Sequence, residues 1–168
     1  IPILVVGATD GKAYAYDYRG NLLPGWPSAV TPPGIDIYVS IGSVGPPYLR
    51  CVVCAGANYI TLRNSRGVNP PGGVGWNTSS NTFRAPAAIG DIDNDGVPEV
   101  VAGLGNTVFA YEKGAYSREF IATLPSDLTD ALTLGDLDLD GDLEILCPTE
   151  DGILHVLDHA GVPVGGNF

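Results

Sequence analysis

The stretch Ile89-Gly90-Asp91-Ile92-Asp93-Asn94-Asp95-Gly96-Val97-Pro98-Glu99-Val100-Val101 returns without a gap as Leu134-Gly135-Asp136-Leu137-Asp138-Leu139-Asp140-Gly141-Asp142-Leu143-Glu144-Ile145-Leu146, offset by 45 residues. Both copies read as an apolar residue and glycine, then Asp-x-Asp-x-Asp-Gly-x-x-Glu, then an apolar run. Working outward, Ile41-Gly42-Ser43 through Val52-Val53 aligns with the first copy at an offset of 48. A further 48 residues upstream, Ile1-Pro2-Ile3-Leu4-Val5 matches Val97-Pro98-Glu99-Val100-Val101. The chain is therefore four units of 45–48 residues, the first without its opening segment, and such a period marks a repeat architecture.

The second halves of the units match as well. Tyr14-Ala15-Tyr16-Asp17-Tyr18-Arg19-Gly20 corresponds to Thr61-Leu62-Arg63-Asn64-Ser65-Arg66-Gly67 and to His155-Val156-Leu157-Asp158-His159-Ala160-Gly161. A Pro/Gly stretch follows each and ends in an aromatic residue: Trp26, Trp76 and Phe168. The third unit is looser, with Gly114 nearby and Phe120 as its aromatic. Trp26 and Trp76 have rings that could stack on sugars, but their matched placement with Phe168 favours packing between units.

Each unit predicts four short strands, in the third at about 85–90, 98–103, 107–112 and 118–123. These runs are rich in Val, Ile, Ala, Tyr and Leu and are broken by Gly, Asn, Asp or Pro. With 23 Gly and 14 Pro in 168 residues, turn-formers make up over a fifth of the chain. That argues for many turns and against a helical bundle. The expectation is an all-β fold of β-propeller blades, each of four antiparallel strands. The blades are bounded at 1–30 (partial), 35–77, 83–124 and 128–168 and form an incomplete propeller or open arc.

The acidic loops carry the chemistry. Nine of the 19 acidic residues fall within the two nine-residue stretches. Asp91, Asp93, Asp95 and Glu99 hold positions 1, 3, 5 and 9 of one loop; Asp136, Asp138, Asp140 and Glu144 hold them in the other. The backbone carbonyl at position 7, Val97 or Asp142, completes a ring of oxygens. Crowded carboxylates repel, and Ca²⁺ takes six to eight oxygen ligands, so the spacing predicts two calcium sites. The glycine at position 6 permits the sharp turn. An EF-hand needs Glu at position 12 between helices, but position 12 is Ala102 or Cys147 and the flanks are strand-like. In the second unit the five positions read Ser43, Gly45, Pro47, Leu49 and Cys51, so no site is expected there.

Cys54 and Cys147 share a repeat position with Val6 and Ala102, and a cysteine there is expected to be a small buried hydrophobe. Cys51 takes the slot of Glu99 and Glu144. Its spacing from Cys54 puts the two on opposite faces of a strand, which disfavours a bridge.

The segments Ala88–Gly96 and Thr133–Gly141 resemble FG-GAP/VCBS repeats, the blades of integrin-alpha-type β-propellers. The likeness covers nearly the whole chain, more closely in the last two units than in the first two. It implies calcium in the loop between the first two strands of a blade, an extracellular or cell-surface setting, and a part in adhesion, ligand binding or scaffolding. Propellers of that family usually close with six to eight blades, more than this chain offers.

A net charge of −11 argues against nucleic acid and anionic membranes as partners. No run of 18 apolar residues occurs, so no transmembrane segment is expected. The chain lacks Met and begins with Ile, as expected of a processed protein or an excised piece.

No catalytic constellation is read, and the chain is expected not to be an enzyme. His155 aligns with Tyr14, Thr61 and Phe109 as a packing residue; His159 is expected to face solvent. The loop Val68–Asn81, with the pattern Asn77-Thr78-Ser79, is the candidate variable contact surface. The expected function is a calcium-stabilised extracellular scaffold for adhesion or assembly. Its partners would be an extracellular protein, a glycan or neighbouring copies paired through open strand edges. The alternatives are a carbohydrate-binding propeller and an ancillary region of a larger secreted polysaccharide-acting enzyme.

Overall fold

The computed structural model describes residues 3–44, 49–57, 59–69, 76–77, 83–111 and 118–165, and all regular structure among them is β. Among the described residues, fourteen strands form four antiparallel sheets. The first sheet runs β1 (Ile3–Gly7), β2 (Lys12–Asp17), β3 (Ser28–Ala29). The second runs β4 (Tyr38–Val44), β5 (Leu49–Gly56), β6 (Tyr59–Arg63), β7 (Trp76–Asn77). The third contains β8 (Ala88–Gly90), β9 (Glu99–Leu104), β10 (Thr107–Tyr111), β11 (Arg118–Thr123). The fourth contains β12 (Thr133–Gly135), β13 (Glu144–Pro148), β14 (Leu154–Leu157). Strands pair with their neighbours in sequence, so every sheet is a meander. The first two sheets belong to one compact unit and the last two to another.

The same turn chemistry closes corresponding hairpins. After β2, β6 and β14 stands Asp17, Asn64 or Asp158, whose Oδ1 accepts two backbone N–H groups. The donors are Arg19 and Asn21 (2.8 and 2.9 Å), Arg66 and Val68 (2.9 and 3.3 Å), and Ala160 and Val162 (3.0 and 2.8 Å). Three residues on, Gly20, Gly67 and Gly161 take positive φ, the conformation that glycine adopts without steric cost. A second turn, Asp10-Gly11 after β1 and Asp151-Gly152 after β13, repeats in the same way. Asp10 Oδ1 accepts Lys12 N–H and Asp151 Oδ1 accepts Ile153 N–H, both at 3.1 Å. Tyr14 Oη then reaches back to Asp10 Oδ2 at 2.6 Å, and His155 Nε2 lies 3.8 Å from Asp151 Oδ2. His155 thus takes the place of Tyr14 in the fourth unit, but its Nε2 is buried without a hydrogen-bond partner among the described residues.

Each unit is built by stacking one sheet on the next. In the first, Ala13, Ala15 and Trp26 pack with Val52 and Cys54 of the second sheet and with Ile37, just ahead of β4. Trp26 is buried, as its placement predicts, and its indole N–H donates to Ser65 O at 3.2 Å. Arg63 is buried across the same seam, its guanidinium donating to Ser28 Oγ (2.7 Å), Ala29 O (2.9 Å) and Leu62 O (2.9 Å). Gly7 makes the approach possible, since a Cβ there would stand 1.7 Å from Ile37 O. In the other unit Val101, Val108 and Ala110 of the third sheet pack against Ile145, Cys147 and Leu157 of the fourth. Consecutive residues Val100, Val101 and Ala102 are all buried, as a strand covered on both faces must be.

Cys54 and Cys147 are wholly buried free thiols, and burial pushes both up to about 12. Cys51 is also buried. Val6, in the repeat slot of Cys54, Ala102 and Cys147, is instead 41% exposed. The side chains of Trp76, Asn77, Phe120 and Phe168, the residues Gly45, Pro47, Thr78, Ser79 and Gly114, and most of the Val68–Asn81 loop lie outside the described set. No helix among the described residues is long and apolar enough to cross a membrane.

Candidate metal centres

Both acidic stretches form the loop of a hairpin between the first two strands of a sheet. Gly90 pairs with Glu99 across β8 and β9, and Gly135 pairs with Glu144 across β12 and β13. The register puts the first Asp and the Glu of each loop at the same end of the sheet. Glu99 and Glu144 are buried, 1% and 5% exposed, and each folds back into its loop. Glu99 Oε2 accepts Ile92 N–H at 2.8 Å, and Glu144 Oε2 accepts Leu137 N–H at 2.7 Å.

Inside each loop, aspartates hold the backbone in successive turns. Asp93 Oδ1 accepts Asp95 N–H at 3.2 Å and Asp95 Oδ1 accepts Val97 N–H at 2.7 Å. Asp138 and Asp140 do the same for Asp140 N–H (3.2 Å) and Asp142 N–H (3.0 Å). Asp91 Oδ2 accepts Gly96 N–H at 2.9 Å. Positions 4 and 6 take positive φ in both loops: Asn94 and Gly96 in one, Leu139 and Gly141 in the other. Leucine tolerates this conformation poorly, so the loop path prevails over the residue's own preference.

The outcome is two matched triads. Asp91, Asp93 and Glu99 bring one carboxylate oxygen each within 4.8 Å of one another, and so do Asp136, Asp138 and Glu144. Asp95 and Asp140 stand outside the triads, engaged with backbone N–H groups. At position 7, the Asp142 carboxylate meets His159 Nδ1 at 2.9 Å. His159 is therefore half-exposed and partnered rather than simply solvent-facing. The sequence offers no signal for this contact, which joins the loop before β13 to the turn after β14.

Three carboxylates this close repel by about 3–4 kcal/mol per pair at an effective dielectric near 20. Asp91 Oδ1 and Asp136 Oδ1 are buried with no hydrogen-bond partner. A buried acceptor without a donor is costly, and the same atom is orphaned at the same position of both loops. The donor set is all oxygen and partly buried, which suits a hard divalent cation. The residues present thus fit a metal ion: each triad could hold one, with the orphaned Oδ1 as a ligand. No protein-family model matches the chain, and no curated protein matches it.

Proposed function

We propose that the chain is a calcium-stabilised β-propeller segment of the FG-GAP/VCBS kind, acting outside the cell as a non-catalytic scaffold for adhesion or assembly. The observation that carries this reading is the pair of orphaned oxygens, Asp91 Oδ1 and Asp136 Oδ1, each beside a buried glutamate in an all-oxygen triad. Three carboxylates with access to backbone carbonyl and water ligands favour Ca²⁺ over Mg²⁺, which demands stricter octahedral geometry. The ligands in each loop would be the triad, the position-5 Asp, the position-7 carbonyl and water. Calcium's part is structural: it cancels the loop charge and pins the connection between two strands.

An extracellular setting agrees with calcium availability and with two thiols too buried and too weakly acidic to be reactive. Stacked antiparallel meanders of three or four strands are the pieces from which propeller blades are made.

Calorimetric titration of the chelated protein with Ca²⁺ and with Mg²⁺ tests the metal. Two calcium equivalents and weaker magnesium binding are expected; no binding would overturn the reading. A glycan array probed with and without calcium tests the scaffold role. Specific sugar binding would replace it with a lectin.

A further inference from the structure

Asp-Gly is the step at which a backbone is most open to attack on its own side chain, because glycine has no Cβ to shield its nitrogen. The chain has four such steps and no Asn-Gly: Asp10-Gly11, Asp95-Gly96, Asp140-Gly141 and Asp151-Gly152. In three of them the fold holds the glycine N–H. Gly11 N–H donates to Ala8 O at 3.3 Å and Gly152 N–H to Thr149 O at 3.0 Å. Gly96 N–H donates to Asp91 Oδ2 at 2.9 Å. Gly141 N–H has no acceptor among the described residues.

Asp95-Gly96 and Asp140-Gly141 are otherwise a matched pair. They hold positions 5 and 6 of the two acidic loops, and all four residues are exposed. Gly96 and Gly141 both take positive φ, 90° and 103°. Each aspartate turns its carboxyl forward and accepts the N–H two residues on, Val97 at 2.7 Å and Asp142 at 3.0 Å. The loops differ in the clamp. Asp91 holds Gly96 through a charged acceptor, a strong kind of hydrogen bond, whereas Asp136 makes no such bond to Gly141 among the described residues. The carboxyls of Asp10 and Asp151 are further tied down by the hydroxyls of Tyr14 and Thr149.

We propose that Asp140-Gly141 is a site of spontaneous aspartate isomerisation, converting to an isoaspartyl linkage ahead of the other three Asp-Gly steps. The Gly141 nitrogen attacks Asp140 Cγ, and the N–Cγ bond forms. One carboxyl oxygen leaves as water, taking the amide proton and a proton from solvent, and a five-membered succinimide remains. Water then opens the ring at the main-chain carbonyl, breaking the original C–N bond. The net composition is unchanged, but the backbone now runs through Cβ and the free carboxylate sits on Cα. Position 5 of the second loop is thereby displaced from positions 6 and 7, so the modification unmakes the second acidic loop and leaves the first intact. A cation held by Asp140 would keep its carboxyl from the Gly141 nitrogen. That protection alone rests on the metal reading above; the preference for Asp140 stands on the hydrogen bonds.

Ageing of the chelated chain in heavy-oxygen water, followed by peptide mapping, tests the proposal. Isoaspartate is read by an isoaspartate-specific methyltransferase and by heavy oxygen gained at the modified residue. It should accumulate at Asp140 about tenfold faster than at Asp95, the factor expected for an N–H that need not first leave a charged acceptor. Equal rates at Asp95 and Asp140, or a faster rate at Asp10, Asp95 or Asp151, would overturn the proposal. Asp91→Ala gives a second reading: it releases Gly96 N–H, so Asp95 should become as labile as Asp140. An unmoved Asp95 rate in the folded variant would also overturn it; if the variant does not fold, the wild-type comparison decides alone. Excess Ca²⁺ should slow the reaction at Asp140 several-fold. Absence of protection with the Asp140 preference intact would count against the metal reading and leave the modification site standing.

Discussion

The backbone N–H of Leu143 donates to the carbonyl of Ile92 at 2.8 Å. Leu143 immediately precedes Glu144, and Ile92 immediately follows Asp91, so one hydrogen bond ties the two acidic loops together. Ile92 also gives its own N–H to Glu99. The loops therefore order as neighbours, and binding at one should be felt at the other. Asp91→Asn should abolish the first site and raise the calcium dissociation constant of the second several-fold. Calorimetry checks this; an unchanged second site would show that the loops act independently.

Removing the metal should lower stability by a calculable amount. A ligand at a hundredfold excess over its dissociation constant contributes about 2.7 kcal/mol per site. Exhaustive chelation should therefore lower the melting temperature by several degrees or more. An identical melting curve with and without chelator would mean that the triads stay empty.

Glu99→Gln separates charge from hydrogen bonding. The amide oxygen can still accept Ile92 N–H, while repulsion within the triad falls. Melting of the chelated variant should match or exceed that of the chelated wild type, and its stabilisation by calcium should shrink. Glu99→Ala leaves Ile92 N–H buried without an acceptor and should cost about 1–3 kcal/mol in either condition. Denaturant titration of both variants decides.

Leu139 is an exposed leucine at φ 65°, where its counterpart in the other loop is Asn94 at φ 55°. Asparagine occupies this region more easily than leucine. Leu139→Asn should stabilise the protein by up to about 1 kcal/mol, read as a shift in denaturation midpoint. Destabilisation would mean that the leucine makes a contact worth more than the strain.

The Tyr14–Asp10 hydrogen bond sets a pH dependence at both extremes. It holds the Asp10 carboxyl below the usual carboxylate value and the Tyr14 hydroxyl above the usual phenol value. The Asp10 contribution is present above the unfolded value near pH 4 and is lost as pH falls through the lower folded value. The Tyr14 contribution is present below about pH 10 and is lost as pH rises through its higher folded value. Tyr14→Phe should weaken the dependence of melting on pH at both ends. A change at one end only would break the assignment.

Much of this molecule was readable within a single repeat. The strands expected at 98–103, 107–112 and 118–123 fall within a residue of β9, β10 and β11, because β-rich runs between Gly, Asn and Asp are local signals. The Asp-x-x-Gly turns at Asp17 and Asp158 are equally local, as their side chains bond backbone two and four residues on. The acidic triads were legible for the same reason: alternating carboxylates and a glutamate opening the next strand need only one hairpin to meet.

Other features have no local signature. Arg63 fills a repeat slot that holds Tyr16, Tyr111 and Leu157 elsewhere. Its burial is tolerable because Ser28 Oγ and Ala29 O, on the neighbouring sheet, accept its protons. His159 finds Asp142 across 17 residues of sequence, and Leu143 finds Ile92 across 51. Val6 and Cys54 occupy one repeat position, yet one is exposed and the other buried. The sequence by itself determined the repeats, the strands, the turns and the acidic loops, because periodicity and turn chemistry act over a few residues. Only the tertiary structure decided which faces are covered and which polar groups are partnered. A side chain's burial depends on what lies against it, and the neighbouring sheet is written elsewhere in the chain.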